Sequence, residues 1–99
     1  MPERTTSTPG SEAMERIAQA AAAQVQDGDC IIMNAGNTTL LTARKLLGKK
    51  KLTLITNSMA IARELVRQTD IHLIFLGGEV NAEGAFTYGW DAVIQLEQY

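Results

Sequence analysis

The amino-acid sequence predicts an α/β fold with a parallel sheet built from βαβ units. Three short apolar runs carry that prediction, Cys30–Met33, Leu52–Ile55 and His72–Leu76, each leaving into a polar loop. Between them lie two amphipathic segments, "TTLLTARKLLG" and "SMAIARELVRQ". Strands that alternate with helices of this length are joined by crossovers, which run parallel and place helices over the sheet.

Taken in order, the first eleven residues, "MPERTTSTPGS", are rich in Pro, Ser, Thr and Gly and have no apolar period, so 1–11 reads as a flexible tail or linker remnant. The folded part is then 12–99. From Ser11, a fair N-cap, Met14, Ile17, Ala18, Ala21 and Val25 recur at helical spacing. Gly28 in "DGD" stops this first helix. After the first strand, Leu40, Ala43 and Leu47 mark the inner face of a second helix. After the second strand, Ile61, Ala62, Leu65 and Val66 give the third helix a broad apolar stripe. The tail "YGWDAVIQLEQY" forms a last helix with Ala92, Val93, Leu96 and Tyr99 at workable spacing. The three units share only the β–α rhythm and are not a sequence repeat.

Ninety-nine residues with 45% hydrophobic content make at most one domain, and a chain this short buries about 60–65% of the surface it exposes unfolded. The net charge of −2 gives no basic field that attracts nucleic acid, so this chain alone is not expected to bind DNA directly. The single cysteine, Cys30, allows no internal disulfide and reads as a small buried hydrophobe in a reducing cytoplasm. No apolar run approaches a membrane span and the N-terminus has no signal pattern, so the protein is expected to be soluble and cytoplasmic. The sequon at Asn37-Thr38-Thr39 has meaning only in a secreted chain. Three parallel strands leave a long unpaired edge, which predicts either a fragment of a larger α/β domain or a chain that completes itself as a homo-oligomer.

Ligands of open parallel sheets bind outside the carboxyl ends of the strands. Three loops meet that description here: Asn34 to Thr39 ("NAGNTT"), then Thr56, Asn57 and Ser58, then Gly77, Gly78 and Glu79. Gly36 lets backbone approach a ligand, and Asn37, Thr38 and Thr39 open a helix whose free N–H groups and dipole suit a phosphate. Thr56, Asn57 and Ser58 supply a second set of polar groups, and Gly77 with Gly78 leaves room. Helix caps and turns explain any one of these loops; three at consecutive strand ends point to a pocket for a phosphorylated polyol. Neither a Walker pattern nor GxGxxG is present, so no nucleotide cofactor is implied.

Catalytic machinery is thin. His72 lies in a strand, where a lone histidine is a packed or edge residue. Glu79 is the one carboxylate directly at a strand end and has no lysine beside it in these loops; Glu83 falls on a solvated turn. One Cys and one distant His make no metal site. The basic run Lys49–Lys51 reads as a solvated turn. Tyr88 and Trp90 flank Gly89 and either pack on the core, the simpler expectation, or meet a partner.

The ordered segments "DGDCIIMNAGNTT", "LTLITNSMAIARELV" and "IHLIFLGGEVN" resemble the effector-sensing domain of DeoR/GlpR-type bacterial transcription regulators, from about Met14 to Tyr99. The resemblance implies a fold similar to ribose-phosphate isomerases and CoA transferases. It also implies a phosphorylated-sugar effector that weakens the regulator's hold on its operator. Family members usually open the first loop with aspartate, where this chain has Asn34, and often have Thr at the position of Asn37. They also carry a winged helix-turn-helix and a longer sensing domain, so the expectation is a truncated sensor without its own DNA-binding domain. Phosphate then falls to Gly36, Asn37, Thr38 and Thr39, and sugar hydroxyls to Asn34, Asn57 and Glu79. Two alternatives stand beside this non-enzymatic reading. One is a sugar-phosphate isomerase-like fragment moving a proton through Glu79; the other is a module that pairs with a full-length regulator through its sheet edge.

Overall fold

The periodicities of the sequence become nine elements in the computed structural model, which describes residues 9–68 and 70–99. They are α1 (Pro9–Ala23), β1 (Cys30–Met33), α2 (Asn37–Arg44), β2 (Leu52–Thr56), α3 (Met59–Leu65), β3 (Ile71–Phe75), β4 (Glu79–Asn81), β5 (Phe86–Tyr88) and α4 (Trp90–Leu96). The strands β1, β2 and β3 form one parallel sheet in that order, and β4 and β5 pair as a small antiparallel hairpin. Cys30 stands opposite Thr53, which stands opposite His72, while Met33, Thr56 and Phe75 align at the other end. All three strands therefore end at one edge, and the fold is α/β as its pattern dictates.

Period-2 alternation splits the apolar residues between two faces of the sheet. On one, Met33, Leu52, Leu54 and Ile71 meet Ala22 of α1, Ala43 of α2, Leu46, and Ile61 and Leu65 of α3 in the main core. Full burial of each large aliphatic side chain contributes about 1.5–3 kcal/mol, so this layer dominates stability. On the other face, Ile55 and Leu76 pack with Ala92, and Ile74 and Leu96 lie against them. The helix α4 covers this second face near the strand ends.

Several expectations are corrected. Helix α1 begins at Pro9, so Ser11 lies within it instead of capping it; Pro suits a first helical position. Residues 1–8 of the expected tail lie outside the described residues. Ile17 is mostly exposed, and the small residues Ala18 and Ala22 are the buried ones in α1. Helix α2 stops at Arg44, and the tighter turn that follows brings Leu46, fully buried, to the core in place of Leu47. Val66 lies past the end of α3 and is exposed.

Cys30 is exposed, because β1 is an edge strand and nothing described covers its outer face there. Ile32, two residues on, is exposed for the same reason. Tyr88 and Trp90 are exposed as well, so neither enters the core. Lys50 and Lys51 do form an exposed turn, tied to "DGD" by Lys50 N–H donating to Asp27 Oδ1 at 2.8 Å. Among the described residues no helix is long and apolar enough to cross a membrane.

Candidate functional site

The loop after β1 is shaped by Gly36, whose φ of 152° and ψ of 158° belong to backbone that only glycine adopts readily. Its carbonyl accepts from Leu40 N–H at 3.0 Å and from Thr39 Oγ1 at 2.9 Å. Thr42 Oγ1 donates to the Thr38 carbonyl at 2.9 Å. No side chain caps α2. The first-turn N–H groups of Asn37, Thr38 and Thr39 thus have no side-chain acceptor, the condition in which a helix start takes an anion.

The loop after β2 is built differently. Ser58 caps α3, its Oγ accepting from Ile61 N–H at 3.2 Å, and Thr56 Oγ1 accepts from Ser58 N–H at 3.0 Å. Both residues are buried. Their hydroxyls hold the turn itself, and neither lines the cavity described below.

Asn57, between them, does something else. Its Nδ2 donates to the Thr87 carbonyl at 2.8 Å, and Thr87 N–H donates to the Asn57 carbonyl at 2.9 Å. An antiparallel bridge between Ser58 and Phe86 and the bond from Met59 N–H to the Ala85 carbonyl, 2.9 Å, continue this pairing. The β4–β5 hairpin is in effect stitched to the exit of β2. Thr87 closes the seam from its other side, donating from Oγ1 to the Leu76 carbonyl at 2.6 Å.

One atom is left over. Asn57 Oδ1 is buried without a hydrogen-bond partner. The orientation of the amide is fixed, since a flip would set its oxygen against the Thr87 carbonyl. A buried acceptor without a donor costs about 1–3 kcal/mol, so this atom is an unsatisfied acceptor within a packed seam.

Asn57 lines a cavity of about 240 Å³ between the ends of β1 and β2, the hairpin and α4. Asn34 stands in the same wall, and Ile32, Leu76, Val93 and Leu96 supply apolar surface. Among the described residues neither Lys nor Arg lines it. The cavity therefore offers side-chain amides and carbon surface to a small neutral part of a ligand, such as a sugar ring. It is below the 300–1,000 Å³ typical of sites for larger ligands.

Of the sequence-derived candidates, the structure brings Asn34 and Asn57 together here. Gly36, Asn37, Thr38 and Thr39 begin two residues past Asn34, at the start of α2. The space left by the two glycines after β3 is taken by protein. Gly77 N–H donates to Gln95 Oε1 at 2.9 Å, and a Cβ on Gly78 would lie 2.5 Å from the Tyr88 carbonyl and 3.2 Å from Ala92. These glycines let the hairpin and α4 close on the sheet. Glu79 is exposed on β4, 3.5 Å from the Tyr88 hydroxyl, and does not line the cavity. Thr87, Tyr88, Gly89 and α4 are the wall that sequence reasoning missed. The glycines and aromatics of "GAFTYGW" were the only local signal of them.

Comparison with known proteins agrees with this architecture. The family described as the DeoR C-terminal sensor domain matches residues 10–99. The chain is 35% identical over 89 residues to the HTH-type transcriptional repressor GlcR of Bacillus subtilis (strain 168), covering 90% of this chain and 34% of that protein. It is 38% identical over 80 residues to the uncharacterized HTH-type transcriptional regulator YgbI of Escherichia coli (strain K12), covering 81% and 31%. It is 35% identical over 72 residues to the HTH-type transcriptional regulator UlaR of Escherichia coli, covering 73% and 28%. The chain spans about a third of the length of these relatives.

Proposed function

Because the chain belongs to the DeoR C-terminal sensor domain family, we propose that it is the effector-binding part of a bacterial, cytoplasmic transcription regulator whose effector is a phosphorylated sugar. The observation that carries the sugar reading is the pairing of Asn34 and Asn57 in the wall of one small cavity that is otherwise mostly apolar. Asn34, on the same wall, both donates and accepts, as a hydroxyl requires.

The phosphate belongs at the start of α2. Gly36 holds the approach open, and the N–H groups of Asn37, Thr38 and Thr39 have no side-chain acceptor to displace. Each charge–dipole contact there contributes about 0.3–1 kcal/mol, so affinity for the anion arises from several convergent donors. The ring in the cavity provides the rest.

The same geometry supports sensing over turnover. The isomerase alternative relied on Glu79, which faces solvent on the hairpin and lies outside the cavity lining. The relatives named as regulators fit that reading.

The reading is tested by melting the chain with a panel of pentose and hexose phosphates, their unphosphorylated sugars and inorganic phosphate. One sugar phosphate at a hundredfold excess over its Kd stabilises the chain by about 2.7 kcal/mol, a rise on the order of 10 °C in Tm for a domain of this size. No response to any member of the panel overturns the proposal.

A further inference from the structure

The cavity beside Asn57 is polar at one end and carbon at the other. One residue beyond the aligned strand ends Met33, Thr56 and Phe75 stand Asn34, Asn57 and Leu76. Leu76 N–H, donating to the Thr56 carbonyl at 2.9 Å, carries the ladder on to this row. Period-2 alternation turns the row to the face that α4 covers, and all three residues line the cavity. From β1 to β3 the row is thus amide, amide, hydrocarbon, and its ends are two strand spacings apart, about 10 Å.

The hydrocarbon end is built up by α4. Leu76 packs on Ala92 with Leu96 against them, and Val93 adds to the lining. The hydroxyls of two neighbouring wall residues are engaged elsewhere. Thr87 Oγ1 is buried and donates to the Leu76 carbonyl at 2.6 Å. The Tyr88 hydroxyl stands 3.5 Å from Glu79 Oε1, outside the lining. A ligand hydroxyl pressed against Leu76 would give up water for carbon, which is costly. A ligand methyl group gains from the same burial.

The start of α2, the phosphate end in the reading above, is joined to β1 and so lies at the amide side of the row. Resting on that reading, we infer that the effector is a 6-deoxyhexose 1-phosphate, its methyl group set against Leu76 and Val93 and its ring hydroxyls at Asn34 and Asn57. The chemistry of a hexose fixes the choice of ends. C1 always carries an oxygen, whereas C6 can be a bare methyl group, so a phosphate at one end and carbon at the other require the phosphate on C1.

The test is a calorimetric titration of the chain with pairs of 1-phosphates that differ only in the C6 hydroxyl: 6-deoxygalactose against galactose, 6-deoxymannose against mannose and 6-deoxyglucose against glucose, in the D and L series. The 6-deoxy member of at least one pair is expected to bind about 10–100-fold more tightly. Val93→Thr sets a hydroxyl at the carbon end and is expected to cut that ratio by about fivefold or more. Ile94→Thr, exposed and off the lining, leaves the ratio unchanged, and both variants keep the far-ultraviolet circular dichroism of the parent. Pairs that bind equally, a tighter hexose 1-phosphate, or a hexose 6-phosphate tighter than every 1-phosphate would overturn the inference while leaving the sugar-phosphate reading in place. A ratio indifferent to Val93→Thr would overturn it as well. Silence toward every sugar phosphate would overturn both.

Discussion

Asn57 and Thr87 lie 30 residues apart and clasp each other through two hydrogen bonds, Asn57 Nδ2 to the Thr87 carbonyl and Thr87 N–H to the Asn57 carbonyl. This clasp fixes the hairpin over the end of β2 and, by using the amide nitrogen, leaves the amide oxygen as the free group. The proposed effector contact and the anchor of the hairpin thus share one side chain.

Substitutions at Asn57 should separate those roles. Asn57→Asp sets a carboxylate oxygen against the Thr87 carbonyl and is expected to cost at least about 2 kcal/mol in urea unfolding. Asn57→Ala loses one bond but also removes the unpaired oxygen, so its cost is about 1 kcal/mol or less. The alanine variant should nevertheless lose the sugar-phosphate shift in Tm.

The end of α2 gives a sharper stability contrast. Leu46 is fully buried and Leu47 is 37% exposed. Leu46→Ala is expected to cost about 2–5 kcal/mol, and Leu47→Ala less than about 1 kcal/mol. Equal losses in the two urea midpoints would mean that the helical period runs on past Arg44.

That contrast also shows what the sequence could reveal. The three parallel strands were legible because Cys30–Met33, Leu52–Ile55 and His72–Leu76 are apolar runs bounded by turns. Leu46 was not, since its burial depends on where α2 gives way to a turn. The β4–β5 hairpin was hidden because each strand has three residues, all of them exposed in β4. Asn34 and Asn57 were legible as strand-end residues, but the free oxygen of Asn57 depends on Thr87, which no local pattern links to it. Thr56 and Ser58 look like donors for a ligand until their bonds to the turn are seen. Cys30 reads as buried only if its strand is covered on both faces.

The hairpin turn carries backbone strain that can be relieved. Ala85 has φ of 54°, left-handed backbone that costs an L residue about 1–2 kcal/mol. Ala85→Gly removes that cost and adds about 0.4–1 kcal/mol of unfolded-state entropy. A net gain of roughly 0.5 kcal/mol is expected, read as a higher urea midpoint with an unchanged slope.

Gly78 presents the opposite case. With φ of 149° and the Tyr88 carbonyl 2.5 Å from where a Cβ would stand, Gly78→Ala must push the hairpin off the sheet. A loss of about 2 kcal/mol or more is expected, together with faster proteolysis between Asn81 and Phe86.

In the proposed complex one ligand spans the start of α2 and the cavity beside Asn57. The most direct measurement is a titration of the isotope-labelled chain with the sugar phosphate that gives the largest thermal shift, followed by amide resonances in nuclear magnetic resonance. The backbone N–H signals of Asn37, Thr38 and Thr39 and the side-chain amide of Asn57 are expected to move together with a single Kd, while inorganic phosphate moves only the first group. Signals of Asn37, Thr38 and Thr39 that stay fixed while the chain binds the sugar phosphate, or an Asn57 amide that never responds, would contradict it.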